Sequence, residues 1–103
     1  MAASSILTAT TGTGNSSTLE VVEGREMTLI LFATSGLTAG ENADVQISHD
    51  GGTTWQDLYV DGAQVRMHST NVAVTIYGPG VFRVQKETST NAAGIWVSAD
   101  LNL

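Results

Sequence analysis

The chain has 103 residues, ten acidic side chains against four basic ones, a formal charge of −6 and no cysteine. That length fits one domain and leaves no room for two. The cysteine count excludes a disulfide framework and a thiolate metal site, and the acidic balance opposes binding to nucleic acid or to an anionic membrane.

Residues 1–17 are small and polar, with Ile6–Leu7 as the apolar pair. They contain no signal-peptide core, so the protein is expected to be soluble and, lacking a disulfide staple, to fold in a reducing cytoplasm. The segment from Thr8 to Asn15 has no helical or strand period and ends in turn residues. It reads as a flexible N-terminal arm, either disordered or ordered on a partner, with Ile6 and Leu7 as its contact candidates.

Strand signals then follow at short intervals. Leu19–Val22 is the first, Glu23-Gly24 marks a turn, and Glu26–Thr34 is the second. In that second strand Thr28, Ile30 and Phe32 alternate with Leu29, Leu31 and Ala33. Both faces are apolar, which predicts a central strand covered on both sides. Ser35–Asn42 is a glycine-containing loop. Ala43–Ser48 alternates, with Val45 and Ile47 inward and Gln46 and Ser48 outward. A turn at Asp50-Gly51-Gly52 leads into Thr54–Val60, and Asp61-Gly62 is a hairpin signal that tolerates positive φ at two positions.

Ala63–His68 returns with Val65 and Met67 inward, and Val72, Val74 and Ile76 form the next inward set. Gly78-Pro79-Gly80 predicts a type II turn with Gly80 left-handed. Phe82 and Val84 then face the core while Arg83 and Gln85 face out. Gly94–Leu103 closes the chain with Ile95, Val97, Ala99 and Leu101 on one face and Trp96, Ser98 and Asp100 on the other. The expected fold is all-β: a small antiparallel β-sandwich of about eight strands, jelly-roll or Ig-like, over residues 18–103, with an extended arm before it.

The most specific local string is Ser48-His49-Asp50-Gly51-Gly52-Thr53-Thr54-Trp55. It resembles the Asp-box hairpin of sialidases and related β-propellers, in which the aspartate accepts backbone N–H bonds, the glycine permits positive φ and the tryptophan packs back over the turn. Ser48, Asp50, Gly52, Thr54 and Trp55 carry that resemblance, which implies a hairpin and not sugar cleavage. One copy in a chain of this length cannot build a propeller.

A wider stretch, "DVQISHDGGTTW", "VTIYGPGVFRVQKETS" and "AGIWVS", resembles small virion proteins of tailed bacteriophages, of the head-decoration or cement type. The resemblance implies a structural protein that binds the outer surface of the major capsid protein shell, forms a homo-oligomer (trimer or dimer), and carries neither a catalytic residue nor a cofactor. It would be made in the host cytoplasm and end on the capsid exterior. A tail or baseplate module that binds carbohydrate is the alternative, with exposed tryptophan and tyrosine stacking on sugar rings.

Enzymatic chemistry has little to stand on. There are two histidines, His49 and His68, and no G-x-S-x-G nucleophile turn. Two distant histidines make a weak zinc set, and Asp50, Asp57 and Asp61 lack EF-hand spacing. Trp96 alternates outward if Ile95 and Val97 face the core. It is then an interface anchor, unless its strand is covered on both sides or a bulge turns it inward. Tyr59 and Tyr77 also fall on outward positions and join Trp96 as interface candidates.

Overall fold

A computed structural model describes residues 3–33 and 41–98. Among them there is no helix, and every strand pairing is antiparallel. The strands are β1 (Ala3–Thr10), β2 (Gly14–Asn15), β3 (Leu19–Val21), β4 (Glu26–Ala33), β5 (Ala43–Ser48), β6 (Gln56–Asp57), β7 (Tyr59–Val60), β8 (Ala63–Gln64), β9 (Arg66–Met67), β10 (Ala73–Tyr77), β11 (Gly80–Lys86) and β12 (Ala93–Ser98). One sheet has the order β1-β12-β4-β10, and the second the order β2-β11-β5-β6, with β3 on β11 and β9 on β5. β7 and β8 form a separate hairpin. The loop expected over residues 35–42 lies, as far as residue 40, outside the described residues, as do the positions Ala99, Asp100 and Leu101.

The two sheets close on one apolar core. The four-stranded sheet supplies Met27, Leu29, Leu31, Ile76, Ala93, Ile95 and Val97, and the second sheet supplies Val21, Ala43, Val45, Met67, Phe82 and Val84. The alternation read from β4, β5, β11 and β12 selects this set, because side chains two apart along a strand share a face. Val72 departs from its expected inward place: it precedes β10 and is exposed.

The N-terminal segment is built into the sheets. β1 pairs with β12, with register shifts between Ser5 and Leu7 and between Leu7 and Thr10. β2 pairs with β11. Ser16 then mimics a strand residue: its N–H donates to the Val84 carbonyl and its Oγ accepts from the Val84 N–H, both at 2.8 Å. Residues 3–17 are therefore part of the domain and not an arm before it. The segment from Thr8 to Asn15 shows no strand period because long-range pairing, not alternation, places Ala3–Thr10 and Gly14–Asn15 in the sheets.

Lys86 is among the largest fully buried side chains, and its Nζ donates to the carbonyls of Gly12 and Glu87, each at 2.9 Å. It thereby ties the β1–β2 connection to the end of β11. Burial pushes its ammonium below the usual lysine range, with Glu41 acting in the opposite sense.

The turn at 78–80 differs from the expected one. The Gly78–Pro79 peptide bond is cis, and the left-handed residues of the described chain are Gly24, Gly51, Gly52, Asp61 and Gly62. Gly80 is not among them, so the type II assignment is corrected. Its missing side chain has a packing cause: a Cβ there would meet the Phe82 ring at 2.6 Å. Gly80→Ala should therefore cost about 1–3 kcal/mol by overpacking. Trimming the ring with Phe82→Leu in the same chain should offset part of that cost in a double-mutant cycle of chemical melts. Strict additivity would show that Phe82 is not the obstacle.

Candidate interaction surface

The hairpin read from sequence is a closed hydrogen-bonded corner. Ser48 Oγ donates to Asp50 Oδ1 at 2.7 Å and accepts from the Gly52 N–H at 2.8 Å. The same carboxylate oxygen accepts from the N–H groups of Thr54 at 2.8 Å and Thr53 at 3.1 Å. The Trp55 indole folds back and donates to the Gly52 carbonyl at 3.1 Å. The Arg83 guanidinium carbon stands 4.5 Å from the centroid of that ring, and Arg83 Nε donates to Gln46 Oε1 at 2.8 Å. Gln46 also donates to Asp57 and Gln85, and Arg66 bonds Asp44 at 2.7 Å. These contacts bury Asp44 together with Gln46 and Ser48, the two that alternation placed outward. The outer face of the second sheet thus carries a bonded polar network of Asp44, Gln46, Asp57, Arg66, Arg83 and Gln85.

The Thr54 N–H and the Ser48 hydroxyl hold the Asp50 carboxyl well below the usual carboxylate range. A folded-state pKa below the unfolded one stabilises the protein above about pH 4, and that contribution is lost as pH falls through the folded value. Thermal melts between pH 2 and 7 should show Asp50→Asn with a shallower loss of Tm on acidification than wild type. Identical slopes would remove Asp50 from the acid response.

The other side of the sandwich is different in kind. On the outer face of the four-stranded sheet, register places Ser5, Trp96, Ile30 and Ala73 in one row, and Thr28 beside Thr75 in the next. Phe32 sits diagonally from Trp96, with Gly94 opposite it. Trp96 is 38% exposed and Phe32 53% exposed, while Ile30 is half-buried. Among the described residues, the charged side chain that register places on this face is Glu26, at its margin beside Tyr77. A sheet holds these apolar groups at cross-strand separations of about 5 Å, on strands fixed from below by Leu29, Leu31 and Ile95, so the surface is preorganised, and the β1 backbone at Leu7 and Ala9 stands over it at Gly94.

Not all the aromatic candidates gather here. Tyr77 shares the face but lies two strands and four residues from the Trp96 row, on the order of 15 Å away. Tyr59 is exposed on the β7–β8 hairpin, outside this sheet. Ile6 and Leu7 are half-buried and pack against the core, so they serve the domain's interior and not a partner. β4 is central, as expected, but among the described residues it is covered on one side only, which leaves Phe32 exposed. Phe32 and Ile30 are the surface residues that sequence reasoning missed. The signal was a strand apolar on both faces, which marks a second layer or an unfilled interface equally well.

Among the described residues no group of three or more histidine, aspartate or glutamate side chains is placed to hold a metal ion, and no helix is long and apolar enough to cross a membrane. Between the sheets, at the Pro79 end, an apolar cleft of about 170 Å³ is lined by Ile47, Leu58, Val65, Ile76 and Phe82, with Val60 and Tyr77 at its mouth. No family model, curated protein or solved structure matches the chain.

Proposed function

We propose that the chain is a structural protein of a tailed-bacteriophage virion, a decoration or cement protein that docks on the outer surface of the major capsid protein shell and stiffens it. The observation that supports this reading is the apolar patch of Trp96, Ile30 and Phe32 held on a sheet, opposite a face where Asp44, Gln46, Asp57, Arg66, Arg83 and Gln85 bond to one another. Such a body has one side made for contact and one for solvent. Its action is mechanical: apolar area buried across the joints between shell subunits adds to the free energy needed to open them. The net charge of −6 keeps free copies apart until they dock. The role is binding and not catalysis, and the place of action is the capsid exterior after synthesis in the host cytoplasm.

Co-sedimentation of the purified protein with expanded major-capsid shells tests it. Wild type should bind and raise the temperature at which shells release DNA. Trp96→Ala should weaken binding by about 2 kcal/mol, roughly 30-fold, with its own melting curve little changed. Absence of binding to shells by wild type would overturn the reading. Selective, Trp96-dependent binding on a glycan array would favour the carbohydrate-binding alternative in its place.

A further inference from the structure

β10 closes one side of the four-stranded sheet, and among the described residues its outer edge is unpaired. The orientation of its backbone follows from two hydrogen bonds. The Leu31 N–H donates to the Val72 carbonyl at 2.7 Å, and the Gly78 N–H donates to the Arg25 carbonyl at 3.0 Å. In an antiparallel pair, residues bonded to the neighbour alternate with residues turned away from it. With Ala73 opposite Ile30 and Tyr77 opposite Glu26, Val74 and Ile76 bond to β4. The N–H and C=O groups of Ala73, Thr75 and Tyr77 therefore point off the free edge. No other described element accepts or donates to them.

Proteins usually protect such an edge with a lysine, a proline, an inward charge or a bulge. β10 reads Ala-Val-Thr-Ile-Tyr, has an unbroken register, and lies in a stretch with no acidic or basic residue from Ser69 to Phe82. Around it stand exposed apolar groups: Val72, Tyr77 and, across the cleft, Val60. In a chain of charge −6 this uncharged edge is a place where two like-charged copies can approach.

We propose that the partner is a second copy of this chain, joined β10 to β10 about a two-fold axis at Thr75. The free positions are spaced so that this axis maps them onto one another. Thr75 meets Thr75, and Ala73 meets Tyr77 of the second copy on both sides. All three outward pairs are then of the hydrogen-bonded kind, so no free N–H or C=O of β10 is left over. The pairing also matches large against small, since each Tyr77 ring comes to lie over an alanine, next to Ile30 on the neighbouring strand. The result is one continuous eight-stranded sheet whose outer face carries both Trp96 patches. An isologous contact of this kind closes on itself and stops at two copies, and it removes the exposed edge.

The inference is independent of the capsid reading. A monomer that binds shells would overturn the dimer alone, and a dimer that ignores shells would overturn the shell reading alone.

The experiment is sedimentation equilibrium of the full chain with Thr75→Lys and Thr75→Glu variants. Wild type should sediment at twice the 10.7 kDa chain mass. Each variant alone should sediment as a monomer, because the axis sets residue 75 against itself and so opposes like charges. An equimolar mixture of the two should regain the dimer mass. Melting curves of the separate variants check that they are folded. If either variant is unfolded, amide exchange on wild type decides: the Ala73, Thr75 and Tyr77 amides should be protected at high concentration and exchange on dilution. A monomeric wild type, a trimer, variants that remain dimeric, or a dimer with those amides unprotected would each overturn the proposal.

Discussion

Gly78→Val is expected to lower stability by about 3 kcal/mol or more, a large part of the roughly 5–15 kcal/mol that a domain of this kind possesses. A Cβ at residue 78 would fall on the carbonyl oxygens of Val21 and Val22. Those atoms belong to backbone held on the far side by β3–β11 pairing and by the turn in which the Arg25 N–H donates to the Val22 carbonyl at 3.1 Å. No rotamer change relieves the overlap, and moving the β3 end disturbs Val21, which is in the core. Thermal denaturation should show a Tm at least about 12 °C lower. Gly12→Ala is the matched comparison, since a Cβ there meets only Thr10 Oγ1 at 3.8 Å. If the two variants melt alike, the close approach at Gly78 does not exist in solution.

Gly94→Val should unseat β1. At residue 94 a Cβ would lie 2.7 Å from the Leu7 carbonyl oxygen and 3.0 Å from the Ala9 nitrogen. This is the segment where β1 shifts register against β12. The obstacle is backbone on one side and a central strand on the other. β12 is held on its far edge by β4 and beneath by Ile95 and Val97 in the core, so β1 is the partner that gives way. The expected cost is about 2 kcal/mol, with a fall in Tm of roughly 8 °C or more. The more telling readout is hydrogen exchange, in which amides of residues 3–10 should lose protection while β4 and β5 keep theirs. Unchanged protection over 3–10 would refute the close packing of β1 on Gly94.

The candidate surface was half legible. Trp96 was placed outward by alternation with Ile95 and Val97, and it does face solvent. Phe32 and Ile30 obey the same rule, but β4 is apolar on both faces, and the expectation of a second covering layer hid them. A pattern of side chains states which residues share a face; it does not state whether another layer lies over that face. Tyr59 failed to join Trp96 for a related reason, because the hairpin that carries it belongs to neither large sheet.

Local chemistry was the reliable part. The string from Ser48 to Trp55 makes its corner from hydrogen bonds at most four residues apart in sequence, so the residues that make it also announce it. Asp61-Gly62 likewise takes positive φ at both positions, 54° and 81°, as a two-residue hairpin requires. Gly78, Pro79 and Gly80 announced a bend, but their reasons lie elsewhere in the chain: Val21 and Val22 exclude a side chain at 78, and the Phe82 ring excludes one at 80.

By itself, then, the sequence determined the all-β class, the inward residues of the long strands, the Ser48–Trp55 corner and the Asp61-Gly62 hairpin, because periodicity and short-range hydrogen bonding act within a few residues. Only the tertiary structure decided that Ala3–Thr10 and Gly14–Asn15 are strands, that Lys86 is buried to hold them, and that, among the described residues, one outer face carries a bonded polar network and the other is apolar. Each of those depends on which distant segment lies alongside, and pairing partners tens of residues apart leave no period in the chain.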